Sequence, residues 1–156
     1  MSAYEYLKKY VVSVLKPSPL GGIGYFAVRD IKKGELIFNP WYGESGVHSI
    51  THEELHSLPE DLQRSIYETF DNKITYLDKE GNECKVEKEI GKIFILLEKG
   101  YHWLYIYPAM FINSGLQNAN VDTELYNPIA IRDIKKGEEL LANYGSKFKF
   151  KPKNFI

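Results

Sequence analysis

Between residues 49 and 70, Leu55, Leu58, Leu62, Ile66 and Phe70 recur at three- and four-residue spacings, the period of a helix with one buried face. Thr51 followed by Glu54 predicts a capping box at the start, and Pro59 divides the stretch into a short helix and a longer one beginning near Glu60. Elsewhere the pattern is that of strands. Residues 73–86 hold two strand-like runs about Gly81-Asn82, which predicts a hairpin. Residues 92–97 and 101–107 are two more strand candidates, apolar and aromatic, leading into 108–113. The pattern predicts a mainly β fold with one helical insertion at about 49–70.

An internal repeat refines this picture. The run Ala27-Val28-Arg29-Asp30-Ile31-Lys32-Lys33-Gly34-Glu35-Leu36-Ile37 returns as Ala130-Ile131-Arg132-Asp133-Ile134-Lys135-Lys136-Gly137-Glu138-Glu139-Leu140-Leu141. Each copy reads as an apolar strand, a turn whose glycine can take positive φ, and a second strand. Two copies are too few for a solenoid, so they imply two similar units within one small β-rich domain.

Composition sets the class. The 156 residues are 44% hydrophobic and 26% charged, enough for a buried core without covalent staples. Cys84 is the sole cysteine, which rules out an intrachain disulfide and a cysteine-built zinc site and fits a reducing, intracellular setting, nucleus or cytoplasm. No apolar run approaches the ~20 residues of a membrane span, and the N-terminus lacks the apolar stretch of a signal peptide, so the chain is expected to be mature as it stands. With 20 Lys+Arg against 21 Asp+Glu, it is not built to neutralise phosphates along a broad basic face, so neither nucleic acid nor a membrane is expected as a partner.

Several segments could carry chemistry. Gly22-Ile23-Gly24-Tyr25 brings two glycines to a strand start, where backbone amides can approach a ligand or simply make a turn. Asn113, Gln117, Asn118 and Asn120 follow an apolar run, and their amides either brace an irregular loop or read the polar edge of a ligand. Tyr144 stands before Gly145 at a strand end as a packed ring or a placed hydroxyl. His48, His52 and His56 recur every four residues, yet a helix starting after Thr51 leaves His48 off the common face, so a solvated helix face is preferred to a metal set. Cys84 reads as packing. In residues 146–156 lysines alternate with Phe148 and Phe150, as an edge strand guarded by charge or an aromatic flap over a ligand.

In this order the segments resemble the SET domain family of protein-lysine methyltransferases. Gly22-Ile23-Gly24-Tyr25-Phe26-Ala27 with Ile31-Lys32-Lys33-Gly34-Glu35 is similar to the family's opening "G-x-G-[LV]-F-A … I-x-x-G-E", and Tyr42-Gly43-Glu44 to its "Y-x-G-E". Phe111-Ile112-Asn113 stands where the family has "F-I-N-H-S-C-x-P-N", and 130–144 looks like "A-x-x-D-I-x-x-G-E-E-L-x-x-x-Y". The resemblance runs from about Leu20 to Gly145. It implies a fold of small sheets with a knot-like C-terminal crossing and S-adenosylmethionine as cofactor. It further implies cofactor contacts at Gly22, Ile23, Gly24, Tyr25, Asn113, Ser114 and Tyr144, with Tyr144 as the catalytic residue and no metal. Trp41, Tyr42, Tyr105 and Ala142 are its substrate-channel candidates. The implied partner is a protein or peptide, histone or other, presenting a lysine.

The chain also departs from the family pattern. Asn113-Ser114-Gly115-Leu116 replaces Asn-His-Ser-Cys, an alignment that omits the histidine and puts Asn118 at the second asparagine; Met110 replaces an arginine, and Asn143 a frequent aspartate. Two functions are therefore carried forward: an active lysine methyltransferase, and a weak or inactive SET-like module that binds a peptide or protein partner. A homo-oligomer built through the tail and aromatic strands is compatible with either.

Overall fold

The computed structural model describes residues 1–70, 75–77, 79–85, 91–103, 111–123 and 127–144. In chain order its elements are α1 (Ala3–Tyr10), β1 (Ser13–Pro17), β2 (Ile23–Ala27), β3 (Gly46–Thr51), α2 (His52–His56), α3 (Glu60–Phe70), β4 (Thr75–Leu77) and β5 (Glu83–Lys85). After them come β6 (Lys92–Leu97), β7 (Asn113–Ser114), a 3-10 turn at Leu116–Asn118, β8 (Val121–Asp122), β9 (Ile129–Ala130) and β10 (Leu141–Ala142). The fold is mainly β, and the chain groups into two compact units, Met1–Tyr10 with Pro40–Tyr105 and Val11–Asn39 with Ile106–Ile156. Among the described residues no helix is long and apolar enough to cross a membrane.

In the first unit, α2 and α3 begin where local signals place them. Thr51 N–H donates to Glu54 Oε2 at 2.8 Å while Glu54 N–H donates to Thr51 Oγ1 at 3.1 Å, so two otherwise orphaned donors are satisfied reciprocally. Residues 49–51, expected in the helical stretch, instead end β3, because β3 pairs antiparallel with β6 from Gly46 opposite Leu97 to Thr51 opposite Lys92. On β6 alternate residues Ile93, Ile95 and Leu97 are buried, and Leu55, Leu62 and Ile66 of the helices are buried in the same unit. The hairpin at β4 and β5 forms with Thr75 opposite Lys85. The expected strand at 101–107 is not seen at 101–103, which turn, and 104–107 lie outside the described residues.

Helix α1 is unheralded by the pattern reading. Ser2 N–H donates to Glu5 Oε2 at 2.7 Å and Glu5 N–H to Ser2 Oγ at 3.2 Å, a second capping box, and the helix buries Ala3, Tyr6 and Leu7.

The second unit is built around the repeat. β1 and β2 form an antiparallel pair, Ser13 opposite Ala27 through Pro17 opposite Ile23. The two repeat copies then clasp each other: Ile31 N–H donates to Ile134 O and Ile134 N–H to Ile31 O, both at 2.8 Å. Gly34 and Gly137, both at φ 88, donate to Ala130 O at 2.7 Å and Ala27 O at 2.8 Å respectively. A side chain in that left-handed conformation would be strained, so glycine is required at both turns.

The remaining sheet has the order β7-β10-β8-β9. β10 runs parallel to β7 and β8 on its two sides, although β7 and β8 are joined by the short loop 115–120. The loop thus passes round the later strand, which is the knot-like crossing. Asn120, 1% exposed, closes it: its Oδ1 accepts from Leu141 N–H and its Nδ2 donates to Glu139 O, both at 2.8 Å. Asn118, the residue aligned with the family's second asparagine, is exposed on the 3-10 turn, so the buried asparagine is the one two positions later.

Candidate active site

The glycine turn ahead of β2 is closed by backbone hydrogen bonds, Ser18 N–H to Gly22 O and Gly21 N–H to Ser18 O, each 3.0 Å. Gly21 at φ 103 and Gly22 at φ 65 are conformations that only glycine takes cheaply. Beyond the turn, Tyr25 is fully buried, its ring edge-on to Phe38 with centroids 4.9 Å apart. Burial pushes its phenol pKa up, and its hydroxyl has no hydrogen-bond partner among the described residues. Its backbone carbonyl accepts from Leu140 N–H at 2.8 Å.

Asn113, on β7, lies against that turn. Its Nδ2 donates to Ile23 O at 3.0 Å and to Glu139 Oε1 at 2.7 Å. The other oxygen of Glu139 accepts from Ser18 Oγ at 2.9 Å, so one carboxylate ties the turn, β7 and the repeat's second copy together. A Cβ at residue 24 would fall onto Glu139 Oε1 and Asn113 Nδ2, which is why Gly24 has no side chain. Ser114, next along, is buried, and its hydroxyl has no partner among the described residues.

Tyr144 O–H donates to Ile112 O at 2.8 Å, which holds the phenol beside the residue that precedes Asn113. Burial raises its pKa, so the phenol keeps its proton at neutral pH. In the second unit, Gly22, Ile23, Gly24, Asn113, Ser114 and Tyr144 thus come together around Ile112–Ser114.

The channel candidates are dispersed differently. Ala142 is buried on β10 opposite Ser114 and Val121. In the first unit Trp41 is 1% exposed, edge-on to Tyr6 at 5.3 Å and to His48 at 5.1 Å, with its Nε1 donating to Glu44 O at 2.9 Å. Its ring is committed to packing, whereas Tyr42 is 69% exposed. Tyr105, Met110 and the tail 146–156 lie outside the described residues. His48 sits on β3 while His52 and His56 sit on α2, and no group of three potential metal ligands occurs among the described residues.

Asn120, one of the amides expected to brace the loop or read a ligand, braces the loop; sequence reasoning missed Ser18 and Glu139. For Glu139 a signal existed in the repeat: Glu35 and Glu138 play matching parts, accepting from Lys32 N–H and Lys135 N–H at 2.8 Å. The next residue is Leu36 in one copy and Glu139 in the other, so the symmetry breaks at the site.

The SET domain family profile matches residues 22–145, and the chain belongs to the SET domain family, a family of protein-lysine methyltransferases. A search of curated proteins returned no match. Among solved structures, one from Plasmodium falciparum, assigned provisionally as a histone methyltransferase, is 22% identical over 87% of this chain and 95% of its own, with a TM-score of 0.35. A Chaetomium thermophilum Polycomb Repressive Complex 2 chain, in an autoinhibited conformation with S-adenosylmethionine bound, is 26% identical over 90% of this chain, with a TM-score of 0.40. An apo form of that complex is 28% identical over 88% of this chain, with a TM-score of 0.39. This chain spans only 16% of those Chaetomium chains. At such TM-scores the likenesses add nothing to the family assignment.

Proposed function

We propose that this chain is an S-adenosylmethionine-dependent methyltransferase acting on a lysine side chain of a protein, a histone or another. The observation that carries the reading is the convergence on Asn113 of the glycine turn, through Ile23 O, and of the Tyr144 hydroxyl, through Ile112. The residues fit a cofactor with a charged amino-acid end: Asn113 has both amide hydrogens engaged, which leaves its oxygen as an acceptor for an ammonium, and the left-handed turn at Gly21-Gly22 lets backbone approach closely. Gly22, Ile23, Gly24, Tyr25, Asn113 and Ser114 would hold the cofactor, which supplies a methyl group on a sulfonium that is already a good leaving group.

The chain's own task is then to hold a neutral amine in line and keep water out. Tyr144, protonated and anchored on Ile112 O, offers an oxygen that can orient the amine and favour the charge developing on it. Burial of the lysine in an aromatic channel would lower its pKa and deliver it unprotonated. Tyr42, Tyr105 and Ala142 remain the proposed channel residues, whereas the Trp41 ring is committed to packing against Tyr6 and His48.

Calorimetric titration with S-adenosylhomocysteine tests the proposal without a known substrate. Micromolar binding is expected. No binding by the folded protein would transfer the assignment to a SET-like module that captures a peptide or protein partner.

A further inference from the structure

Asn113 can serve a ligand only if its amide is held one way round. Both acceptors of its Nδ2, Ile23 O and Glu139 Oε1, lack any hydrogen to give, so the reverse orientation would set three oxygens against one another. A carbonyl alone restrains the amide weakly, whereas a hydrogen bond to a charged acceptor is roughly twice as strong as a neutral one. Glu139 is itself held by Ser18 Oγ and by the bridge that pairs its backbone with Phe26, so its carboxylate is aimed rather than free to swing.

We propose that Glu139 is a positioning residue: its carboxylate locks the Asn113 amide with the oxygen turned outward and fastens the Ser18–Gly22 turn to the same point. Ser18 is the second member of this brace, and its hydroxyl also accepts from Leu20 N–H at 3.1 Å inside the turn. The two repeat copies otherwise match residue for residue in their turn contacts, and the departure from Leu36 to Glu139 puts the charge on the Asn113 side alone. The inference rests on the proposed cofactor site for its effect on binding, but the amide orientation stands by itself in the unliganded protein.

The test uses Glu139→Ala, Glu139→Gln and Glu139→Asp in the full chain. The side-chain amide signal of Asn113 is identified in a nitrogen-labelled spectrum by its loss in Asn113→Asp. In the unliganded protein, Glu139→Ala should speed exchange of these amide hydrogens with water about tenfold, and Glu139→Gln, which keeps an acceptor oxygen but loses the charge, should give a rate between those of the parent and Glu139→Ala. Glu139→Asp keeps the charge but withdraws it by one methylene, so it should behave like Glu139→Ala if the latter does not fold. Unchanged exchange in both Glu139→Ala and Glu139→Asp would overturn the proposal.

Affinity for S-adenosylhomocysteine supplies the second readout. Glu139→Ala should weaken it about tenfold, with no further loss when added to Asn113→Ala; additive losses would overturn the assignment, because Glu139 would then act independently of Asn113. If the parent protein does not bind S-adenosylhomocysteine, the cofactor reading fails and the amide exchange alone decides whether Glu139 orients Asn113.

Discussion

Asp30 and Asp133 cap each other's turns: Asp30 Oδ1 accepts from Lys136 N–H, and Asp133 Oδ1 from Lys33 N–H, both at 3.0 Å. Each carboxyl is held below its ordinary value of 3.8, chiefly by the backbone hydrogen bond it receives from the other copy. A depressed folded pKa means that the stabilisation is present above the unfolded value and is lost as pH falls through the folded one. The double variant Asp30→Asn with Asp133→Asn should therefore show a flatter loss of melting temperature below about pH 4 than the parent. Parallel acid profiles would show that the mutual caps contribute nothing through charge.

A second pH effect appears higher on the scale. Desolvation pushes His102, almost wholly buried, down to about 3 from its ordinary 6.5. Between those values the unfolded chain binds a proton that the folded chain refuses, so stability is full above 6.5 and declines on acidification by up to about 1.4 kcal/mol per pH unit. Urea unfolding at pH 7, 6 and 5 should reveal that slope in the parent and a much shallower one in His102→Gln. Equal parent stability at pH 7 and 5 would contradict a neutral buried imidazole.

Asn120 offers a comparison with its neighbour. Truncation in Asn120→Ala leaves Leu141 N–H and Glu139 O without their side-chain partner inside the crossing, at a cost of about 3 kcal/mol. Asn118→Ala, on the exposed turn, should change stability by less than about 0.5 kcal/mol. Denaturant midpoints measured side by side decide whether the fold depends on the later asparagine.

For Tyr144→Phe the expected signature is a split between binding and turnover. The ring is retained and the hydroxyl that donates to Ile112 O is lost, so affinity for S-adenosylhomocysteine should stay within about threefold, whereas methyl transfer to lysine-bearing proteins should fall by about 100-fold or more. Full activity in this variant, measured by methyl incorporation, would remove Tyr144 from the catalytic role.

The parts of the molecule that could be read from sequence are those fixed by neighbours in the chain. The Thr51–Glu54 box and Pro59 set the bounds of α2 and α3 because the bonds involved span three or four residues. The same signal at Ser2 and Glu5 was available for α1, where Ala3, Tyr6 and Leu7 give a short helical face that is easily passed over among the flanking lysines. The second repeat copy marked β9 and β10, but β7 and β8, two residues each, are too short for any periodicity, and their identity lies in partners elsewhere in the chain. For the site, resemblance to a family directed attention to Asn113 and Tyr144, and the break in the repeat marked Glu139, but Ser18 and its contact with Glu139 emerge only when the chain is folded, since that contact joins residues 121 apart.

The threading of β10 between β7 and β8 also has a consequence in time. Asn113 meets Ile23 across 90 residues and Glu139 across 26, and the strand that carries Glu139 onward must enter a gap whose two walls belong to one short loop. During synthesis the glycine turn and Asn113 emerge long before Glu139 and Asn120's strand partner, so a nascent chain holds the walls of the site without its keystone. Such distant pairings are slow to form. In the proposed reading, the cofactor site would be complete only once the closing strand has entered, so cofactor recognition would be gained late in folding.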